Sequence, residues 1–146
     1  MKVELKIDQN CEETKVVIYA KTIDDEISKI VENLQNKDSN TLNAFKDEEI
    51  YVLNQDEIQT IYAEEGKVFV KTDKSKYLLK KRLYELEEIL NHKKFVRISN
   101  SEIVNIKKVE KFNFKVTGTI VLHFKNGEIT YVSRRYINKI KEFLEL

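Results

Sequence analysis

Phe95-Val-Arg-Ile-Ser-Asn-Ser-Glu-Ile-Val-Asn-Ile106 holds two apolar runs around a polar break. Phe95, Val96 and Ile98 are apolar and strand-prone, with Arg97 set among them, and they predict a short strand. Ser99, Asn100 and Ser101 interrupt it with three short polar side chains before apolar packing resumes at Ile103, Val104 and Ile106. Small hydrogen-bonding residues held between two buried anchors can present amides and hydroxyls from a fixed backbone. On these residues alone the stretch is a polar turn between two strands.

Short strands continue on both sides. Upstream, Ile50, Val52 and Leu53 form one, and Ile58, Ile61 and Tyr62 belong to the next. Glu64-Glu65-Gly66-Lys67 is a turn whose glycine is free to adopt positive φ. Val68–Thr72 and Tyr77–Leu79 are strands joined by the polar turn Asp73–Lys76, and a short helix follows with Leu83, Leu86, Ile89 and Leu90 on one face. Downstream, Val109–Val116 is a strand, and Thr119–Phe124 and Glu128–Val132 flank Asn126-Gly127, the signature of a two-residue hairpin. Ser133 is placed to cap a terminal helix whose apolar face is Ile137, Ile140, Phe143 and Leu144. There is no proline and only three glycines, so asparagine and aspartate must carry most turns.

At the other end, Val3, Leu5 and Ile7 alternate as one strand and Lys15–Ala20 is a second, with Asp8–Thr14 as a hairpin loop. Thr22 followed by Asp25 resembles a helix cap, and Ile27, Ile30, Val31 and Leu34 recur at helical spacing. Asn36–Asn40 is the linker candidate. The expected organisation is a β-β-α extension over residues 1–45 and a mainly β domain with short helices, of α+β class, over residues 46–146.

The acidic run Ile23-Asp24-Asp25-Glu26 superficially matches the paired acids of a phosphorelay receiver. In a receiver that pair closes the first strand, whereas here the strand is expected to end at Ala20, and the alternation of parallel strands and helices is missing downstream. An acidic helix start explains the run better.

Composition narrows the function. No apolar run approaches the ~18 residues of a membrane span, and the alternating N-terminus is unlike the apolar block of a signal peptide, so a cytoplasmic protein is expected. The single cysteine, Cys11, excludes an internal disulfide and a multi-cysteine zinc site. His92 and His123 lack metal-ligand spacing, no serine sits in a nucleophile elbow, and no glycine cluster could cradle phosphate. The sequence therefore reads as a non-enzyme with no metal or cofactor. The net charge of +1 hides an asymmetry. Residues 1–45 carry 6 basic and 9 acidic side chains, residues 46–94 carry 10 and 11, and residues 95–146 carry 10 and 5. A basic final third suggests a surface facing a polyanion. Phosphate contacts need cations, and base-edge recognition needs groups such as arginine on guanine or asparagine on adenine. Asn100 and Arg135 are of the right types.

These residues carry a family resemblance. Phe95-Val-Arg-Ile-Ser-Asn-Ser-Glu-Ile-Val-Asn105 resembles the "F-x-R-[IV]-x-x-S-x-[ILV]-[IV]-N" core of LytTR DNA-binding domains. Asn126-Gly-Glu-Ile-Thr-Tyr-Val-Ser-Arg-Arg135 resembles that family's "N-G-x-x-x-x-V-S-R" ending, and the two anchors occur in the family's order and separation across about residues 46–146. The resemblance implies an elongated, antiparallel β fold that meets double-stranded DNA with three loops in successive major grooves, without a helix-turn-helix. By position it implies Asn100 and Arg135 as base contacts and Lys67 in the third loop. Arg97, Ser101, Arg134 and Lys139 are implied as phosphate or positioning contacts. Arg82 stands where many members have serine, which weakens the expected cap of the helix at Leu83. The short N-terminal extension in place of a receiver resembles the stand-alone regulators of this family. For them the resemblance implies a transcriptional regulator at direct-repeat promoter sites, a homodimer on DNA and a small membrane-protein inhibitor as partner. A protein-interaction module docking an acidic partner, without DNA binding, is the alternative reading of the same basic surface.

Overall fold

A computed structural model describes residues 1–35 and 40–146. The chain forms two units, Met1–Asp38 and Ser39–Leu146. In the first, the regular element is the helix α1 (Asp25–Gln35). Its cap is Asp24 and not Thr22: an Asp24 carboxylate oxygen accepts the Ile27 N–H at 2.9 Å. The expected hairpin of Val3–Ile7 and Lys15–Ala20 is not formed, and neither stretch is a strand. A two-stranded ribbon is marginal in water unless its apolar face is covered. Here Val3, Leu5 and Ile7 are 83%, 85% and 84% exposed. The extension is therefore a segment without strands leading into a helix, and most of its predicted linker, residues 36–39, lies outside the described residues.

The second unit runs β1 (Thr41–Lys46), β2 (Glu49–Asn54), β3 (Ile58–Glu64), β4 (Lys67–Thr72), β5 (Lys76–Leu79), α2 (Leu83–Ile89), β6 (Phe95–Ser99), β7 (Glu102–Asn105), β8 (Val109–Phe114), β9 (Ile120–Phe124), β10 (Ile129–Val132) and α3 (Ile137–Phe143). The expected boundary between residues 45 and 46 cuts through β1. That strand alternates Leu42 and Ala44 inward with Thr41 and Asn43 outward, and it belongs wholly to the second unit.

Seven strands form one sheet in the order β2-β1-β5-β4-β3-β7-β6, and β10-β9-β8 form another. Every pairing is antiparallel. The Asn126-Gly127 connection is one residue longer than expected. Phe124 N–H bonds to Glu128 O at 2.8 Å and Gly127 N–H to Phe124 O at 3.0 Å, enclosing residues 125–127. Gly127 takes φ +92°, the left-handed residue that closes a three-residue loop.

Two cores share β6 and β7. Phe95 and Ile103 join Leu42, Leu53, Ile58, Ile61, Val70, Leu79 and the α2 residues Leu83 and Leu86 in one cluster. Val96, Ile98 and Val104 join Ile120, Leu122, Phe124, Val132 and Ile140 of α3 in the other. Burial on both faces explains why this stretch is nearly continuous in apolar residues. Asn105, fully buried, closes β7: its amide donates to Ile58 O at 2.8 Å, and its carbonyl accepts the Lys107 N–H at 3.0 Å.

The Arg82 side chain offers α2 no acceptor, as the resemblance implied, while its backbone carbonyl accepts the Glu85 and Leu86 N–H groups. The Glu85 carboxylate in turn accepts the Arg82 N–H at 3.3 Å. Ser133 likewise makes no side-chain cap; its carbonyl accepts from Tyr136 N–H at 2.9 Å, which closes a 3-10 turn over Arg134–Tyr136 before α3.

Candidate functional site

Two loops gather around the β6–β7 turn. Tyr62 of β3 pairs with Glu102 of β7, and the Ala63 N–H bonds to Ser101 O at 2.8 Å. The end of β3, and with it the turn into β4 that carries Lys67, therefore lies beside the turn that carries Asn100. On the other side, the Ser133 N–H bonds to Ile98 O at 2.8 Å, which seats the Ser133–Arg135 corner against β6. A second tie closes the group, as the Tyr136 hydroxyl reaches the Asn100 side-chain oxygen at 3.1 Å.

The Asn100 turn is held from inside by Arg97. Its Nε donates to Ser99 O at 3.0 Å, one terminal nitrogen donates to Asn100 O at 2.5 Å, and the other pairs with Glu87 of α2. Ser99 Oγ accepts the Ser101 N–H at 3.2 Å. The result is a rigid turn with Asn100 and Ser101 exposed at its tip. The Asn100 side-chain oxygen is anchored by Tyr136 but retains a second lone pair, and its amide nitrogen has two donors to offer. That is the donor–acceptor pattern an asparagine presents to an adenine edge in a major groove.

Arg134 and Arg135 are exposed on the 3-10 turn, and Lys67 is exposed at the first position of β4. Among the described residues none of the three makes a salt bridge, whereas Arg97 and Lys139 do. Lys139 Nζ lies 3.3 Å from Glu87 Oε2. The seven candidate residues are thus brought together, but in two roles. Lys67, Asn100, Ser101, Arg134 and Arg135 face outward; Arg97, 16% exposed, is part of the scaffold, and Lys139 shares its counter-ion.

The structure also narrows the basic surface. Lys107 lies 3.6 Å from Asp56, and Lys108 lies 3.3 Å from Asp73. Both follow Asn105, at the opposite end of β7 from Asn100. Lys94, at 2.7 Å from Asp56, is that carboxylate's main partner and holds its pKa below the ordinary range. Part of the excess charge in the final third is therefore neutralised by acids of the middle third, away from the Asn100 turn.

Two residues of the site escaped the sequence reading. Tyr136 follows the arginine pair but carries no motif signal of its own. Glu87 sits among the glutamates of α2, and only folding shows that it meets Arg97 and Lys139, 10 and 52 positions away. Among the described residues no group of His, Cys, Asp and Glu could hold a metal ion, and no helix is long and apolar enough to cross a membrane.

A family model described as the LytTr DNA-binding domain matches residues 48–145. The chain is 37% identical over 147 residues to a Staphylococcus aureus (strain NCTC 8325 / PS 47) protein named an uncharacterized HTH-type transcriptional regulator, with 100% of this chain and 99% of that protein covered. A protein of the same description from S. aureus strain COL matches to the same extent. Among solved structures, the LytTr DNA-binding domain of a Bacillus cereus methyl-accepting/DNA response regulator superposes with a TM-score of 0.70 at 21% identity, covering 73% of this chain and 98% of that one. That likeness is one of fold: mostly antiparallel sheets with short helices. The helix-turn-helix in the relatives' names has no counterpart here, since no two α-helices follow one another among the described residues.

Proposed function

The chain belongs to the LytTR DNA-binding domain family, and from that premise we propose that it is a transcription regulator binding double-stranded DNA sequence-specifically. Loops, and not a recognition helix, enter the major groove. Asn100 and Arg135 read base edges, Lys67, Arg134 and Ser101 contact phosphates, and Arg97 and Lys139 position the Asn100 turn. The target is a pair of direct-repeat promoter half-sites, each taking one copy of the protein.

The observation that carries this reading is the union of two distant loops. Asn100 and the Arg134–Arg135 corner are held to one another by the Tyr136–Asn100 and Ser133–Ile98 bonds. Base recognition requires groups fixed before contact, because ordering a loop on binding costs affinity and blurs register. The flanking cations without ion pairs supply the sequence-independent attraction that depends on salt.

The experiment is a salt series of duplex binding, comparing a site selected from a random pool with unselected DNA of equal length. The reading requires affinity that falls with salt on both, and at least ~10³-fold preference for the selected site. Absence of duplex binding, with capture of an acidic protein partner retained, would assign the same surface to protein docking.

A further inference from the structure

Glu87 lies on α2, which carries none of the outward-facing candidate residues, yet both of its carboxylate oxygens are engaged by cations of the site. One oxygen takes the Arg97 guanidinium and the other takes Lys139 Nζ at 3.3 Å. The same two cations approach one aromatic ring. Arg97 Cζ is 6.0 Å and Lys139 Nζ 5.9 Å from the centroid of Tyr136, whose hydroxyl holds Asn100. Arg97 in turn holds the backbone of Ser99 and Asn100. With Leu90, Phe95, Val96, Ile103 and Phe143, these three charged residues line a cleft of about 490 Å³. Glu88 and Glu142 line the cleft too, but among the described residues neither pairs with Arg97 or Lys139.

We infer that Glu87 sets the specificity of DNA recognition as a positioning residue, an inference that rests on the DNA-binding reading above. Its charge does two things at once. It fixes Arg97 as the staple of the Asn100 turn, and it withholds Arg97 and Lys139 from the phosphate backbone. Without that charge, Arg97 and Lys139 lose their shared counter-ion and repel one another, and both become available to phosphates. Attraction to any duplex then rises while the base-reading turn loses its staple. A negatively charged residue in a DNA-binding surface thus lowers overall affinity in exchange for discrimination.

The test uses the full chain with Glu87→Gln, which keeps the shape and an acceptor while removing the charge. Binding is measured on a selected duplex and on unselected duplexes across a salt series, with urea unfolding as the control for fold. The expected result is tighter binding to unselected DNA, and a slope of log K against log salt steeper by about 0.9 for each cation released. The ratio of selected to unselected affinity falls about 3- to 10-fold. Simple destabilisation cannot give this pattern, since it weakens binding to every duplex. A second variant keeps the inference testable if Glu87→Gln folds poorly. Lys139→Gln alone leaves the salt slope nearly unchanged, because Lys139 is already neutralised. A loss of about 0.9 in that variant would show Lys139 to be a free phosphate contact and overturn the inference. Wild-type protein that binds duplex, with Glu87→Gln changing neither slope nor ratio, overturns it as well. Wild-type protein that binds no duplex instead refutes the DNA-binding reading, and the inference with it.

Discussion

The Tyr136 hydroxyl donates to the Asn100 side-chain oxygen at 3.1 Å, joining a β-turn to the start of the terminal helix across 36 positions of sequence. One hydrogen bond therefore couples the two loops that carry the proposed base contacts. It fixes the rotamer of the Asn100 amide while leaving its donors free.

Tyr136→Phe removes that bond and keeps the ring beside Arg97 and Lys139. The net value of such a bond is about 0.5–1.5 kcal/mol. Discrimination at the base facing Asn100 should fall by that amount, while affinity for unselected DNA stays the same. Titration of single-base variants of the selected duplex measures it, and equal weakening on all duplexes would count against a positioning role.

Asn105 is a structural pin and not a DNA contact. It is fully buried at the far end of β7 from Asn100, and its side chain satisfies Ile58 O and the Lys107 N–H. Asn105→Ala leaves buried backbone groups unpaired, at a cost of about 1–3 kcal/mol. Urea unfolding should show a lower midpoint with an unchanged m-value.

Glu128 links the two sheets. Its carboxylate meets Lys71 Nζ at 2.6 and 2.7 Å and Gln59 Nε2 at 2.7 Å. Lys71, and then Gln59, hold its pKa below the ordinary glutamate range. A pKa depressed by folding contributes stability that is fully present above the unfolded-state value, near 4.3, and is lost as pH falls through the lower folded-state value. Asp56, depressed chiefly by Lys94, acts in the same direction. Stability should decline on acidification below about pH 5, and Glu128→Gln should flatten that decline. Thermal unfolding across pH measures it; an identical profile for the variant would leave the carboxylate without a role.

Among the described residues, both hydrophobic clusters draw only on residues from Leu42 onward. A chain of residues 39–146 should unfold in a single cooperative transition and keep its preference for the selected duplex. Loss of cooperative unfolding in that shortened chain would show that the first unit completes the core.

The β6–β7 stretch was legible because both of its faces are buried: Phe95 and Ile103 point to one cluster, and Val96, Ile98 and Val104 to the other. Its pattern is therefore strong and unambiguous. The alternation at Val3, Leu5 and Ile7 is just as regular but local, and a strand needs a partner that local sequence does not supply. β1 was harder to see because only Leu42 and the small Ala44 are fully buried along it. At the site, residue type and motif single out Asn100 and Arg135, and both are exposed. Convergence of Arg97 and Lys139 on Glu87 was not legible, because that contact exists only after β6, α2 and α3 have packed. The charge tally misled for the same reason, since Asp56 and Asp73 neutralise lysines distant in sequence.

The central claim is that Asn100 and Arg135 read bases while the surrounding cations supply affinity. Its most direct test is the base preference of Asn100→Ala and Arg135→Ala, each profiled by selection from a random duplex pool beside the wild-type protein. Each variant should lose preference at its own base position, by ~1–3 kcal/mol, with binding to unselected DNA little changed. Unaltered preference profiles, with both variants weakened equally on selected and unselected duplexes, would contradict it and reassign both residues to the phosphate backbone.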